Sequence, residues 1–166
     1  MKKTILILIA IIGISQLKAQ TYISYAHGLT NTAGTLAEKS NVSIEVGKQW
    51  DVFSLGLDLG KTTLSKMSGK DTSTYIEIRP NLNIFQQGKW TNTFTAGIGY
   101  IFGAQENLLT ELTSGIEYSA SETVHINVQF GQYYYSGLHA ADNSTFLGAS
   151  VMYYLKPSKK KALINK

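Results

Sequence analysis

The strongest constraint on this chain is a period of two. From Thr123 to Gly137 the sequence reads TVHINVQFGQYYYSG, with Val124, Ile126, Val128 and Phe130 on one face and His125, Asn127, Gln129 and Gly131 on the other. Alternation of this length specifies a strand, because successive strand side chains point to opposite faces. The pattern recurs along the body. Val42, Ile44 and Val46 alternate with Ser43, Glu45 and Gly47; Phe53, Leu55, Leu57 and Leu59 alternate with Ser54, Gly56, Asp58 and Gly60. Ile76, Ile78, Leu82 and Ile84 stand against Glu77, Arg79, Asn81 and Asn83, and Phe94, Ala96, Ile98 and Tyr100 against Thr93, Thr95, Gly97 and Gly99. With TYISYAHG, LTELTSGIEYS and STFLGASVMYYL, about eight strands are expected between Thr21 and Leu155, with no helical period among them.

Short connections (KQWD, QQGK and the turn at Ser119–Glu122) alternate with longer ones near 28–40, 61–73, 103–109 and 136–144. In an up-and-down antiparallel barrel every second connection lies at the same end, so short turns collect at one end and long loops at the other. The polar face is built from Gly, Ser, Thr, Asn and acids and is almost free of lysine. A face shown to water would be rich in Lys and Glu, whereas the inside of a narrow barrel needs small residues and a few mutually satisfied polar groups. The apolar face carries scarcely a charge, as lipid requires. The competing architecture is a soluble periplasmic barrel of lipocalin or avidin type, with the apolar face lining a ligand cavity.

The ends of the chain bear on where it resides. Met1-Lys2-Lys3, an apolar run from Ile5 to Ile14 and Leu17-Lys18-Ala19 have the layout of a cleaved secretory leader, residues 1–19. The run is too short for the ~20 residues of a spanning helix. Cysteine is absent, so neither disulfides nor a lipidated N-terminus holds the mature chain. The formal charge is +4; the leader lysines Lys2, Lys3 and Lys18 account for three of these, leaving +1. Setting aside Lys156, Lys159, Lys160, Lys161 and Lys166 leaves a body, residues 20–155, of −4. The high pI thus belongs to the leader and to a basic tail, 156–166, and nucleic acid is not an expected partner. The tail reads as a solvated end or as a segment touching anionic lipid heads.

Aromatic residues gather near the segment ends: Trp50, Phe53, Phe85 and Trp90 by the short turns, and Tyr100, Phe102, Tyr133, Tyr134 and Tyr135 by the long loops. Two interfacial girdles would place them there. On these segments and girdles the mature body resembles the small eight-stranded outer-membrane barrels of the OmpA/OmpX type. Gly148, Val151, Tyr153 and Leu155 resemble the final-strand signal read by the barrel-assembly machinery, although such signals usually end in an aromatic residue and here Leu155 and the tail follow Tyr154. The resemblance implies an all-β, eight-stranded antiparallel transmembrane barrel in an outer membrane, with outer-membrane lipid and the assembly machinery as partners. The long loops would be extracellular and both termini periplasmic, since an even strand count returns the chain to its starting side.

Inside such a barrel, Arg79 is the chain's only arginine, and Glu77, Glu45, Asp58 and Glu117 share its face. A confined carboxylate is costly unless paired, and one arginine can bridge several. The acids exceed the cations, so protons, water, Lys48 or Lys61 are expected to serve the remainder. His125 is expected as a satisfied interior imidazole. An ion path is the sharper alternative, disfavoured by an eight-stranded bore filled with side chains.

For chemistry, GLHAADNS places His139, Asp142 and Ser144 on one loop, the residue types of an acyl-transfer site. This faintly resembles the His-x-Ser region of lipid A deacylases, but Ala141 stands where the serine would be. A metal reading of His27, Glu106 and His139 has no ligand spacing behind it. No cofactor or metal is expected. The function expected is non-enzymatic: a structural or surface-interaction barrel without a wide pore, engaging an envelope or surface partner through its loops. A lipid A acyl hydrolase and a soluble ligand-binding barrel are the alternatives.

Overall fold

The computed structural model describes residues 19–32, 35–64, 72–103, 106–137, 140–156 and 161–165. The leader therefore lies almost wholly outside the described residues. Eight long strands follow one another: β1 (Gln20–Thr32), β2 (Thr35–Gln49), β3 (Phe53–Thr62), β4 (Ser73–Gln87), β5 (Trp90–Phe102), β6 (Asn107–Ser119), β7 (Val124–Ser136) and β8 (Ser144–Tyr154), with a two-residue β9 (Ile164–Asn165) after them. Each long strand pairs antiparallel with the next, and β1 closes on β8 from Tyr22↔Tyr154 to Thr32↔Ser144. Each of the eight long strands thus has a neighbour on both sides, and such closure is the condition for a sheet to stand in hydrocarbon.

The faces fall as the alternation requires. Val128 and Phe130 on β7 and Leu147 and Val151 on β8 point outward, Phe130 59% exposed and Leu147 57%. Their neighbours Asn127, Gln129 and Ser150 are buried. Apolar outward and polar inward is the arrangement of a barrel solvated by lipid. It excludes the soluble alternative, in which the apolar face would line a cavity.

The first long-loop connection departs from expectation. The stretch near 28–40 is largely strand: Gly28↔Asn41, Leu29↔Ser40 and Thr30↔Lys39 continue the β1–β2 ladder, and Thr32 pairs with Thr35. Alternation fades there because a ladder that projects beyond the lipid needs no apolar face, so pairing outlasts the pattern that reveals it. At that end the connections 63–72 and 137–143 are longer than the turns 50–52, 88–89 and 120–123 at the other, whereas 103–106, expected as a long loop, only equals the turn 120–123. Gly88 has φ +58°, the left-handed conformation that the two-residue Gly88–Lys89 turn requires.

The tail is not simply a solvated end. β4 runs on to Gln87, whereas β3 begins at Phe53 opposite Leu82, so residues 83–87 have one edge left over. β9 pairs with that edge in parallel, Ile164 beside Phe85 and Asn165 beside Gln86. The Leu163 amide donates to the Asn83 carbonyl at 3.0 Å, the Lys161 amide to the Asp51 carbonyl at 2.8 Å, and the Asn83 side-chain amide to the Lys161 carbonyl at 3.0 Å. Overhanging strand edges are sites where another segment pairs.

Candidate functional site

The bore is the chemically distinctive part of the molecule. Its centre is an acidic row set by register: Glu45 on β2 pairs with Asp58 on β3, which pairs with Glu77 on β4. Arg79, one inward position beyond Glu77, lies opposite Gly56. A β-carbon at position 56 would occupy the place of the Glu45 carboxylate, so this glycine gives Glu45 room to lie across β3 toward the arginine. Arg79 Nη1 donates to Glu45 Oε2 at 2.7 Å, and the Tyr22 hydroxyl donates to the other oxygen of Glu45.

The other half of the guanidinium is held from the far wall. Arg79 Nε and Nη2 form a fork with both oxygens of Glu111 on β6, each at 2.8 Å, and Nη2 also donates to Gln129 Oε1 on β7 at 3.0 Å. The Thr113 hydroxyl donates to Glu111 Oε1 at 2.7 Å. Such bidentate pairing is what a planar guanidinium supplies and an ammonium does not. One side chain thereby ties β4 to β2, β6 and β7.

Asp58 receives the Tyr75 hydroxyl at 3.0 Å. Glu77 is 1% exposed, and neither of its oxygens meets a hydrogen-bond donor among the described residues. Glu117 lies 2.6 Å from His125 Nδ1, which gives the interior imidazole its partner. Lys48 and Lys61 do not reach the acids, contrary to expectation. Both occupy outward positions and are exposed, and Lys48 Nζ donates instead to Thr21 Oγ1 at 2.8 Å. Their parity forbids anything else, since neighbours of inward Gly47 and Gly60 must point out.

Two aromatic layers close the network above and below. Toward the long loops, Tyr75, Ile101, Leu109, Tyr133, Tyr135 and Phe146 form one buried cluster, with Tyr133 stacked on Phe146 at 4.9 Å. Toward the short turns, Tyr22, Met152 and Tyr154 form another, and the His125 ring lies 4.8 Å from Tyr154. Beside Arg79, a cavity of about 10 Å³ bordered by Glu45, Gln129 and Ser150 has room for about one water.

These layers correct the aromatic assignment. Tyr133 and Tyr135 face the bore, and only Tyr134 of the three faces outward. Period two cannot place three consecutive tyrosines in one girdle. Outward, Tyr100 lies against Phe102 at 5.0 Å, and Trp90 against Tyr118 at 4.7 Å. Trp50 stacks on Phe53 at 5.8 Å, and Phe85 is half-buried. Gly148 faces inward, while Val151, Tyr153 and Leu155 are exposed on the outer face.

Glu111 is the residue that sequence reading missed. It stands three strand repeats from Glu117 in one continuous parity, 111, 113, 115 and 117, and following that phase through LTELTSGIEYS reveals it.

The suggested catalytic group is not assembled by the described residues. His139 lies outside them. Asp142 is exposed, whereas Ser144 begins β8, is 3% exposed and has its hydroxyl 3.1 Å from that of Tyr135. Ser144 thus faces the bore, while Asp142 is exposed to solvent. Nor is the metal reading supported. His27 belongs to β1 and points outward between Val42 and Ala149, not into a loop, and Glu106 Oε2 accepts from the Tyr100 hydroxyl at 3.1 Å. No group of three or more metal-binding side chains forms among the described residues.

No protein-family model and no curated protein matches the sequence. Solved structures do match. Neisserial surface protein A is 13% identical, with 81% of this chain and 96% of that one aligned at a TM-score of 0.59. Outer membrane protein H (OprH) from P. aeruginosa is 11% identical over 81% and 99% of the two chains at 0.58. The N-terminal β-barrel domain of Pseudomonas aeruginosa OprF is 12% identical over 82% and 100% at 0.55. Closure, strand count, outward apolar face and these neighbours agree: the chain has the fold of the small eight-stranded outer-membrane β-barrels.

Proposed function

We propose that this chain is a non-enzymatic outer-membrane barrel with a structural or surface-interaction role and no wide pore. One observation carries the reading: the Arg79 network fills the bore between two aromatic layers, and the cavity beside it has room for about one water. A bore so occupied serves as a stiff pillar, and the connections at its ends are the surfaces left for recognition. On this reading the leader, residues 1–19, is removed on export, the long loops face outward from the cell and the termini face the periplasm. Lipid surrounds the barrel, the assembly machinery inserts it, and a surface or envelope partner meets its loops.

The test is solute passage. The mature chain is refolded into liposomes, and swelling is followed in an isotonic sugar. No swelling above protein-free liposomes is expected. Swelling at the rate of an open porin of equal copy number would overturn the reading.

A further inference from the structure

We propose that the C-terminal segment is an interfacial anchor: β9 seats Ile164 in the lipid boundary beside Phe85, and Lys161, with Lys48 and Lys89 at the same end of the barrel, binds anionic phospholipid headgroups. The first support is placement. The register of β4 slips between Asn83 and Phe85, so that Phe85 lies opposite Asn92, an outward residue of β5. Parallel partners share a face, and Ile164, opposite Phe85, therefore points to the same outer surface. This is the level of the short-turn aromatics, where Trp90 is exposed and Trp50 stacks on Phe53. The boundary of hydrocarbon and headgroups is where such rings reside.

The second support is what the segment exposes. Its backbone is fixed by the three hydrogen bonds to Asp51 and Asn83, and Ala162 is buried, yet Leu163 is 61% exposed and Ile164 57%. An anchoring contact made only to protein would bury these two side chains first. Ile164, exposed on the outer face beside the lipid-facing band, is instead surface that lipid covers.

The third is charge. Lys161 is exposed and only loosely paired, 3.5 Å from an equally exposed Asp51. Lys48 and Lys89 add exposed positive charge near the short turns against Asp51 and Glu122. An exposed isoleucine with lysines at the same membrane boundary matches an anionic lipid surface, at which each lysine is worth about a fivefold change in bound population.

Single-cysteine variants of the full mature chain, which has no cysteine of its own, test this. Ile164→Cys carries an environment-sensitive fluorophore, with Val128→Cys as the lipid reference and Glu122→Cys as the water reference. Each is refolded into vesicles of phosphatidylcholine, alone or mixed with phosphatidylglycerol, and quenched by nitroxide lipid or by aqueous iodide. The label at 164 is expected to be quenched by lipid severalfold more in the anionic vesicles. High salt, or the combined Lys48→Gln, Lys89→Gln and Lys161→Gln replacement, should abolish that gain. Iodide quenching at 164 equal to that at 122 in both vesicles overturns the proposal, as does lipid quenching indifferent to phosphatidylglycerol and to the lysines. Failure of the 128 label to meet lipid would instead refute the barrel's membrane setting.

Discussion

Replacing Arg79 with methionine keeps an unbranched chain in the bore but removes all the donors of the guanidinium. Four hydrogen bonds are lost, to Glu45, to both oxygens of Glu111 and to Gln129. The pairs are buried: the side chains of Arg79 and Glu111 are 8% and 0% exposed. Removing one partner of a buried ion pair costs about 3–5 kcal/mol, because the remaining charge stays desolvated. Two carboxylates are orphaned here, but Tyr22 still donates to Glu45 and Thr113 to Glu111, and protonation caps the penalty. We therefore expect a loss of about 4 kcal/mol. With a urea slope of ~2 kcal/mol per molar, the unfolding midpoint of the lipid-refolded barrel falls by about 2 M. It is read from tryptophan fluorescence and from the gel-mobility shift between unboiled and boiled samples. The triple variant Arg79→Met, Glu45→Gln, Glu111→Gln should recover more than half of the loss, since no charge is then stranded. A midpoint shift under about 0.5 M for Arg79→Met, on that same slope, would refute the reasoning. So would a triple variant no more stable than the single one, which would mean that packing rather than charge was lost.

Other outcomes follow from the same structure. Val128→Arg should destabilise the bilayer-embedded barrel by about 2–4 kcal/mol if it lies near the midplane, and a near-neutral unfolding curve would contradict the outward assignment. Gly131→Ala should cost about 1–3 kcal/mol by overpacking, because its β-carbon would meet the Leu112 carbonyl and the backbone of Thr113, which cannot turn aside. Gly88→Asn should be nearly silent in the same melt, since nothing lies within 4 Å of its β-carbon and asparagine tolerates the left-handed region. Deleting residues 161–166 should leave global stability within ~1 kcal/mol, as β9 contributes only two paired residues, while speeding amide exchange in β4 beyond Asn83. Unchanged exchange there would show that β9 does not protect the edge.

The sequence by itself determined the class of fold and the direction of its faces. A two-residue period survives in any register, so Val124 to Phe130 could be assigned to one surface before any partner strand was known. The lysine-poor composition of the opposite surface then identified lipid as the solvent. Alternation also brought Arg79, Glu45, Asp58, Glu77 and Glu117 to one lumen, because parity is a local property.

Which of those acids Arg79 binds is not local. It is decided by shear around the closed ring, which places Glu111 and Gln129 across the bore from Arg79 and leaves Glu77, its neighbour two residues away, without a donor among the described residues. The inward turn of Tyr133 and Tyr135 was implicit in the alternation, but composition near the loop end argued for a girdle and masked it. The docking of the tail was beyond pattern altogether. It depends on β4 outrunning β3, a mismatch of strand lengths that creates a free edge only once both are paired, and no property of the segment ALINK announces the strand it completes.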